Sequence, residues 1–261
     1  MQDQYKLVIA TDLDGTFLEG DNQVKSSLYG ELLRLRDSIL LIYATGRSVD
    51  TVKEFCKCGY LPYPHFVIGD HGTEIAEGVS FKQITELQEP IIKRWNNGGG
   101  KLKELLQHEK GLQLQPIDPP YRVAYYYDPC HFQNQTLEKI TTAGFDFIQS
   151  CEMYLDIVPK GVNKGSSLLN ILSHLNINNE IVLTCGDSLN DLSLFQTGLK
   201  SIAVGNSEPK LLSEIQHLKN VYHSSFAGLL GIIDGLRFYN QTQLFADSLF
   251  ERKKDSAWLR I

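Results

Sequence analysis

No stretch of the 261 residues approaches the run of about 20 apolar side chains that a membrane-spanning helix needs. The first residues, Met1-Gln2-Asp3-Gln4-Tyr5-Lys6, lack the basic region and apolar core of a secretory signal. Cysteines are few and badly spaced for a framework. Cys56, Cys58, Cys130, Cys151 and Cys185 are odd in number, and Cys56-Lys57-Cys58 is one residue short of a Cys-x-x-Cys pair. Neither a zinc site nor a disulfide scaffold is expected, and reduced thiols in a cytoplasmic protein are. Positive charge is not in excess either. Lys plus Arg number 25 against 31 Asp plus Glu, a net charge of −6, which argues against nucleic acid as the main partner. There is no internal repeat and no low-complexity segment. With 42% hydrophobic and 21% charged residues, the chain has the profile of a soluble globular protein, long enough for one large domain or two smaller ones.

Against these absences, short apolar runs without polar alternation stand out. Residues 7–10, 39–44 and 66–68 read as strands buried on both faces, as in a parallel sheet. Helices are expected between them, from Ser26 or Ser27 to about Arg36 and from a Ser48 cap to about Lys57. This order implies a Rossmann-like α/β core with helices on both faces. The alternation lapses after about residue 79. Residues 90–108 are helix-forming, with a flexible loop expected at Asn96-Asn97-Gly98-Gly99-Gly100. Residues 122–127, 145–148 and 153–158 read as strands. Alternation resumes with a helix over 164–175, a strand over 180–185, a helix over 188–196 and a strand over 201–204. A Ser207-Glu208-Pro209 cap then opens a helix, and a last one covers about 226–238. We expect a discontinuous core of residues 1–79 and 160–238, an inserted α+β domain of residues 80–159, and a C-terminal extension of residues 239–261.

Four polar clusters fall at the expected strand ends or helix starts of the core. They are Asp12-Leu13-Asp14-Gly15-Thr16, Thr45-Gly46-Arg47, Lys164, and Gly186-Asp187-Ser188-Leu189-Asn190-Asp191. In a parallel sheet these places share one edge, where ligands bind. Two carboxylates two residues apart repel unless a cation or a proton intervenes. Each cluster suits phosphoryl transfer. A carboxylate can attack phosphorus, and a second can protonate the leaving alkoxide. A hydroxyl and backbone amides can bind phosphate oxygens. A lysine can balance the developing charge, and Asp187 can complete an oxygen-ligand Mg²⁺ site. Taken singly, the first cluster reads equally as an Asp- and Gly-rich turn, Thr-Gly is mostly a turn, a lysine at a helix start is usually solvated, and Gly-Asp-x-x-Asn-Asp reads also as a capped strand-to-helix turn.

In that order, the four clusters resemble the motifs of the haloacid dehalogenase superfamily. The insertion between the second and third resembles the C2-type cap of the Cof-type sugar phosphatase branch. Tyr43-Ala44-Thr45-Gly46-Arg47-Ser48, Asn163-Lys164-Gly165 and Cys185-Gly186-Asp187-Ser188 look most like the sucrose-6-phosphate phosphatases. The resemblance implies Asp12 as nucleophile and Mg²⁺ ligand. It makes Asp14 the general acid/base, with its carbonyl on the metal. Thr45, Gly46 and Lys164 would hold the phosphoryl group, and Asn190 would contact it. Asp187 would bind Mg²⁺, and Asp191 would support the metal shell or orient Lys164. The cap would close over the substrate.

Specificity is less legible. Arg47 and the loop residues Asp70, His71, Thr73 and Glu74 could bond sugar hydroxyls. Tyr125 and Tyr127 share one face of a strand and Tyr126 the other. Such rings pack into a core more often than they stack on a sugar. The implied partner is a small-molecule sugar phosphate, with no nucleic acid and no membrane, and a monomer is preferred. Phosphatases of mannosylfructose-, trehalose-, glucosylglycerol- or mannosyl-3-phosphoglycerate-phosphate share the chemistry. A phosphomannomutase-like phosphomutase and a non-catalytic binding protein are the more distant alternatives.

Overall fold

In the computed structural model, which describes residues 4–250, the elements follow in order. They are β1 (Leu7–Thr11), α1 (Asn22–Arg34), β2 (Ile39–Ala44), α2 (Val49–Lys57), β3 (Phe66–Gly69) and β4 (Glu74–Glu77). Next come α3 (Thr85–Trp95), α4 (Gly98–Leu106), β5 (Leu112–Leu114), β6 (Val123–Tyr127), α5 (Asn134–Thr142), β7 (Phe145–Ser150) and β8 (Tyr154–Pro159). The chain continues through α6 (Lys164–Leu175), β9 (Val182–Gly186), α7 (Leu192–Phe195), β10 (Lys200–Ala203), α8 (Pro209–Ile215), β11 (Val221–His223) and α9 (Gly228–Phe238).

The apolar runs become the middle of a seven-stranded sheet, ordered β11-β10-β9-β1-β2-β3-β4. All pairs are parallel except β3 with β4. Every residue of β1 and of β2 is buried, because helices cover both faces. Leu7, Ile9, Leu41 and Tyr43 belong to one core with residues of α1, α2 and α9. Val8, Ala10, Leu40 and Ile42 belong to the other with residues of α3, α6 and α7. Burying each such side chain contributes about 1.5–3 kcal/mol, so the two-sided core outweighs any local propensity.

The second sheet, ordered β5-β6-β8-β7, is antiparallel and lies between β4 and α6 in the chain. Its Val123, Tyr125, Leu155 and Ile157 pack against residues of α3, α4 and α5. Alternation turns Ala124, Tyr126, Tyr154 and Asp156 to the opposite face. Tyr125 is core and Tyr127 packs against it, while the Tyr126 ring sits 5.8 Å from that of Tyr154.

Several expectations are corrected. Asp21, rather than Ser26 or Ser27, caps α1, accepting from Val24 N at 2.8 Å. The glycine run is not a loop. Only Asn96 and Asn97 are left-handed, with φ of 46° and 53°, and α4 begins at Gly98. A Cβ there would stand 2.5 Å from the Phe145 ring, so close packing explains the glycine. The short strands β4 and β11 lack a long apolar run and escape a reading by periodicity. Residues 239–250 fold back onto the core, where Phe245 and Leu249 are buried. Residues 251–261 lie outside the described residues. Among the described residues no helix is long and apolar enough to cross a membrane.

Candidate active site

Register brings the clusters together. Thr11 at the end of β1 pairs with Tyr43 of β2 and with Cys185 of β9. Asp12, Thr45 and Asp187 therefore follow three adjacent strand ends on one edge. Asp12 N donates to Cys185 O at 2.9 Å. Gly15 then turns the chain with φ of 79°. A Cβ at Gly15 would lie 2.3 Å from Asp187 Oδ2, so only glycine lets the first loop approach the fourth. Thr16 Oγ1 donates to Asp187 Oδ1 at 2.7 Å and locks the two loops.

Lys164 is the first residue of α6 and is fully buried. Asn163 fixes its direction. Ser166 N donates to Asn163 Oδ1 at 2.8 Å, and Asn163 N donates to Ser166 Oγ at 3.0 Å, a reciprocal cap. Lys164 Nζ donates to Asp12 Oδ1 and to Asp191 Oδ1, each at 2.7 Å, and to Asn190 Oδ1 at 2.5 Å. The other oxygen of Asp191 accepts from Asp187 N and Ser188 N, each at 3.1 Å. Asp191 thus has both oxygens engaged in orienting Lys164 and the Asp187 loop.

Electrostatics explain why these groups belong together. Burial, and then the carboxylate of Asp191, push Asp12 well above the usual carboxylate range against the pull of Lys164. Burial and Asp191 likewise push Asp187 up to about 7. Burial alone would discharge Lys164, but Asp12 and Asp191 hold it firmly protonated. The site carries more negative charge than one lysine balances. Oxygen ligands of Asp12, Asp187 and Asp191 lie within 4.8 Å of one another. An all-oxygen set of crowded carboxylates suits a hard divalent cation such as Mg²⁺.

Thr45 is buried after β2, its amide donating to Ile68 O at 2.8 Å and its Oγ1 accepting from Arg47 N at 3.1 Å. The His71 ring covers Gly46, where a Cβ would come within 2.6 Å of it. Asp14 does not turn into the carboxylate cluster. It forms an exposed fork with Arg47, with contacts of 2.7 Å.

The loop expected to meet a sugar is turned to protein instead. Asp70 is buried against Arg122, with Arg122 Nε donating to Asp70 Oδ1 at 2.8 Å. His71 Nε2 lies 3.3 Å from Asp156 Oδ2. Thr73 is fully buried and donates to Asp70 O at 2.9 Å. Glu74 accepts from Gln83 Nε2 at 2.7 Å. Sequence reasoning missed Arg122 and Asp156, which no local pattern marks. Thr16 lies within the first motif, and its bond to Asp187 emerges only from the structure.

Comparison with known proteins bears on this geometry. A sequence model of the family described as sucrose-6F-phosphate phosphohydrolase matches residues 5–240. The chain is 38% identical over 229 residues to a glucosylglycerol-phosphate synthase of Pseudomonas anguilliseptica, covering 87% of this chain and 30% of the synthase. It is 31% identical over 220 residues to a probable sucrose-phosphatase of Arabidopsis thaliana, covering 79% of this chain and 52% of that protein. The chain thus spans between about a third and a half of these two relatives. The crystal structure of the sucrose-phosphatase from Synechocystis sp., in complex with sucrose and phosphate, superposes with a TM-score of 0.81 at 26% identity. That match covers 90% of this chain and 98% of the other.

Proposed function

Since the chain belongs to the sucrose-6F-phosphate phosphohydrolase family, we propose that it hydrolyses glycosyl phosphate monoesters, sucrose-6-phosphate first among them. The reaction uses Mg²⁺ and a phosphorylated Asp12. One observation carries the reading. A fully buried Lys164 is held 2.7 Å from both Asp12 and Asp191, beside Asp187 on the same sheet edge. Such an arrangement is costly to bury and matches the charges of a transferring phosphoryl group.

Asp12 attacks phosphorus, and the bond from phosphorus to the sugar oxygen breaks. Asp14 gives that oxygen its proton and later takes one from water. The water oxygen then displaces Asp12, and inorganic phosphate leaves. Thr45, the Gly46 amide, Asn190 and Lys164 hold the phosphoryl oxygens. Mg²⁺ held by Asp12 and Asp187, with the Asp14 carbonyl, would neutralise the crowded charge when bound. Asp191 orients Lys164. Residues 80–159 act as a cap over a core made of residues 1–79 and 160–238, excluding water from the site. The setting is cytoplasmic, in keeping with free thiols at all five cysteines.

A second reading is glucosylglycerol-phosphate, favoured by the 38% identity to a synthase that carries that name. The test is phosphate release with Mg²⁺ from sucrose-6-phosphate, glucosylglycerol-phosphate, trehalose-6-phosphate, glucose-6-phosphate and mannose-6-phosphate. A disaccharide or glycosylglycerol ester cleaved with kcat/KM above about 10⁴ M⁻¹s⁻¹ supports the reading and names the sugar. Uniformly slow release from every ester, with a bisphosphate-activated isomerisation in its place, replaces it with a mutase.

A further inference from the structure

A cluster of buried charges outside the reaction centre joins the loop after β3 to the second sheet. Arg122 immediately precedes β6 in the cap. Its Nε donates to Asp70 Oδ1 at 2.8 Å and its Nη2 lies 2.7 Å from the same oxygen, across to the core. Its Nη1 donates to Asp156 Oδ1 on the neighbouring cap strand β8. His71 of the core closes the ring at 3.3 Å from Asp156 Oδ2. All four side chains are buried. Burial alone would raise Asp156, but His71 and Arg122 outweigh it and hold that carboxyl below the usual range.

The core half of this ring is no ordinary loop. Asp70, His71 and Gly72 are three consecutive left-handed residues, with φ of 46°, 60° and 105°. Such backbone persists only where its surroundings dictate it, and here they do. Asp70 N donates to Arg47 O at 2.9 Å and His71 N to Thr45 O at 3.0 Å. Ser167 Oγ of α6 donates to Gly72 O at 2.7 Å. A Cβ on Gly72 would meet the Asn163 carbonyl at 2.4 Å, and the His71 ring lies on Gly46. One loop therefore touches the Thr45–Arg47 turn, the peptide that leads into Lys164, and the cap.

We propose that Arg122 is a positioning residue. By bridging Asp70 of the core and Asp156 of the cap, it seats the cap on the 70–72 loop and holds the phosphate-binding turn and Lys164 in register. The inference rests on the reading of Thr45, Gly46 and Lys164 as phosphate-holding groups. It assigns Asp70 to cap seating, apart from sugar binding. A lysine carries the charge but not the planar fork that reaches two carboxylates, so the geometry itself is testable.

Removing Arg122 alone strands two buried carboxylates. The informative protein is therefore the neutralised triple variant Arg122→Met/Asp70→Asn/Asp156→Asn, measured beside Arg122→Lys. Three readouts are taken on the full chain with Mg²⁺: melting temperature, binding of inorganic phosphate by calorimetry, and kcat and KM on the best ester of the panel. Positioning predicts a folded triple variant whose phosphate Kd rises at least about tenfold and whose kcat falls by a similar factor. Arg122→Lys should lose about three- to tenfold in kcat with KM little changed. A folded triple variant, or Arg122→Lys if the triple variant does not fold, that keeps phosphate affinity and kcat within about twofold overturns the proposal. A wild-type chain that binds phosphate but hydrolyses no ester would refute the phosphatase reading, and the phosphate-binding comparison would still judge the clasp.

Discussion

One guanidinium holds both carboxylate oxygens of Asp14. Arg47 Nε lies 2.7 Å from Asp14 Oδ2 and Arg47 Nη2 lies 2.7 Å from Oδ1. The Phe55 ring backs Arg47, 4.9 Å from its Cζ. The pair is part-exposed, so it adds little to stability, and its value lies in where it puts Asp14. The fork parks Asp14, the proposed acid/base, beside the Thr45–Gly46 turn. Arg47→Lys, with no planar fork, is expected to lower kcat/KM about tenfold, and Arg47→Ala more. The melting temperature should move by no more than about 2 °C. Equal kcat/KM in all three proteins would show that Asp14 needs no such holder.

Asp12→Asn removes the proposed nucleophile while leaving Lys164 its contact with Asp191. Phosphate release should fall by about 10⁴-fold or more, as when a nucleophile is lost elsewhere. The protein should melt no lower than the parent, because a carboxylate that burial and Asp191 already disfavour has gone. Loss of turnover together with loss of folding would indicate that Asp12 is a structural partner of Lys164 first.

As a proposed metal ligand, Asp187, pushed up to about 7 by burial and Asp191, would make metal affinity depend on pH. Below about 7 a proton competes with the cation for this carboxylate; above it the site is open. Millimolar Mg²⁺ should therefore raise the melting temperature more at pH 8 than at pH 6, relative to EDTA. An identical rise at both values would take Asp187 out of the ligand set.

Much of this was legible in the chain, and the reason is physical. Runs such as residues 7–10 and 39–44 lack polar alternation because both faces of a parallel sheet are covered. The residues that follow them must lie on one edge, which is how Asp12, Thr45 and Asp187 were found without coordinates. Lys164, alone no more than a lysine at a helix start, was legible only through its order with the other three clusters and the family resemblance they carry. What escaped depends on contacts between distant segments. Asp70 and Arg122 are 52 residues apart, and nothing local to either marks the pair. Glycines at 98–100 signal a loop by propensity, yet the fit of Gly98 against Phe145 keeps them helical. Tertiary packing there overrides the intrinsic preference.

Glu74 offers a test that involves no substrate. Burial, and then the neighbouring Asp70 carboxyl, push its carboxyl from the ordinary 4.5 up to about 7, with Asp50 adding to the repulsion and Gln83 opposing it. Asp70 Oδ2 is buried without a hydrogen-bond partner, so a proton held by Glu74 has an acceptor waiting. A carboxyl with a raised folded-state pKa binds its proton more tightly folded than unfolded. Its stabilising contribution is whole below about 4.5 and is lost as pH rises through 7. With Asp187 ionised by saturating Mg²⁺ under the proposed ligand set, unfolding free energy should decline between pH 5 and pH 8 by about 1–3 kcal/mol more in the parent than in Glu74→Gln. Urea denaturation at both pH values measures the difference. Parallel pH profiles for the two proteins would mean that Glu74 is ionised throughout and that Asp70 relies on Arg122 alone.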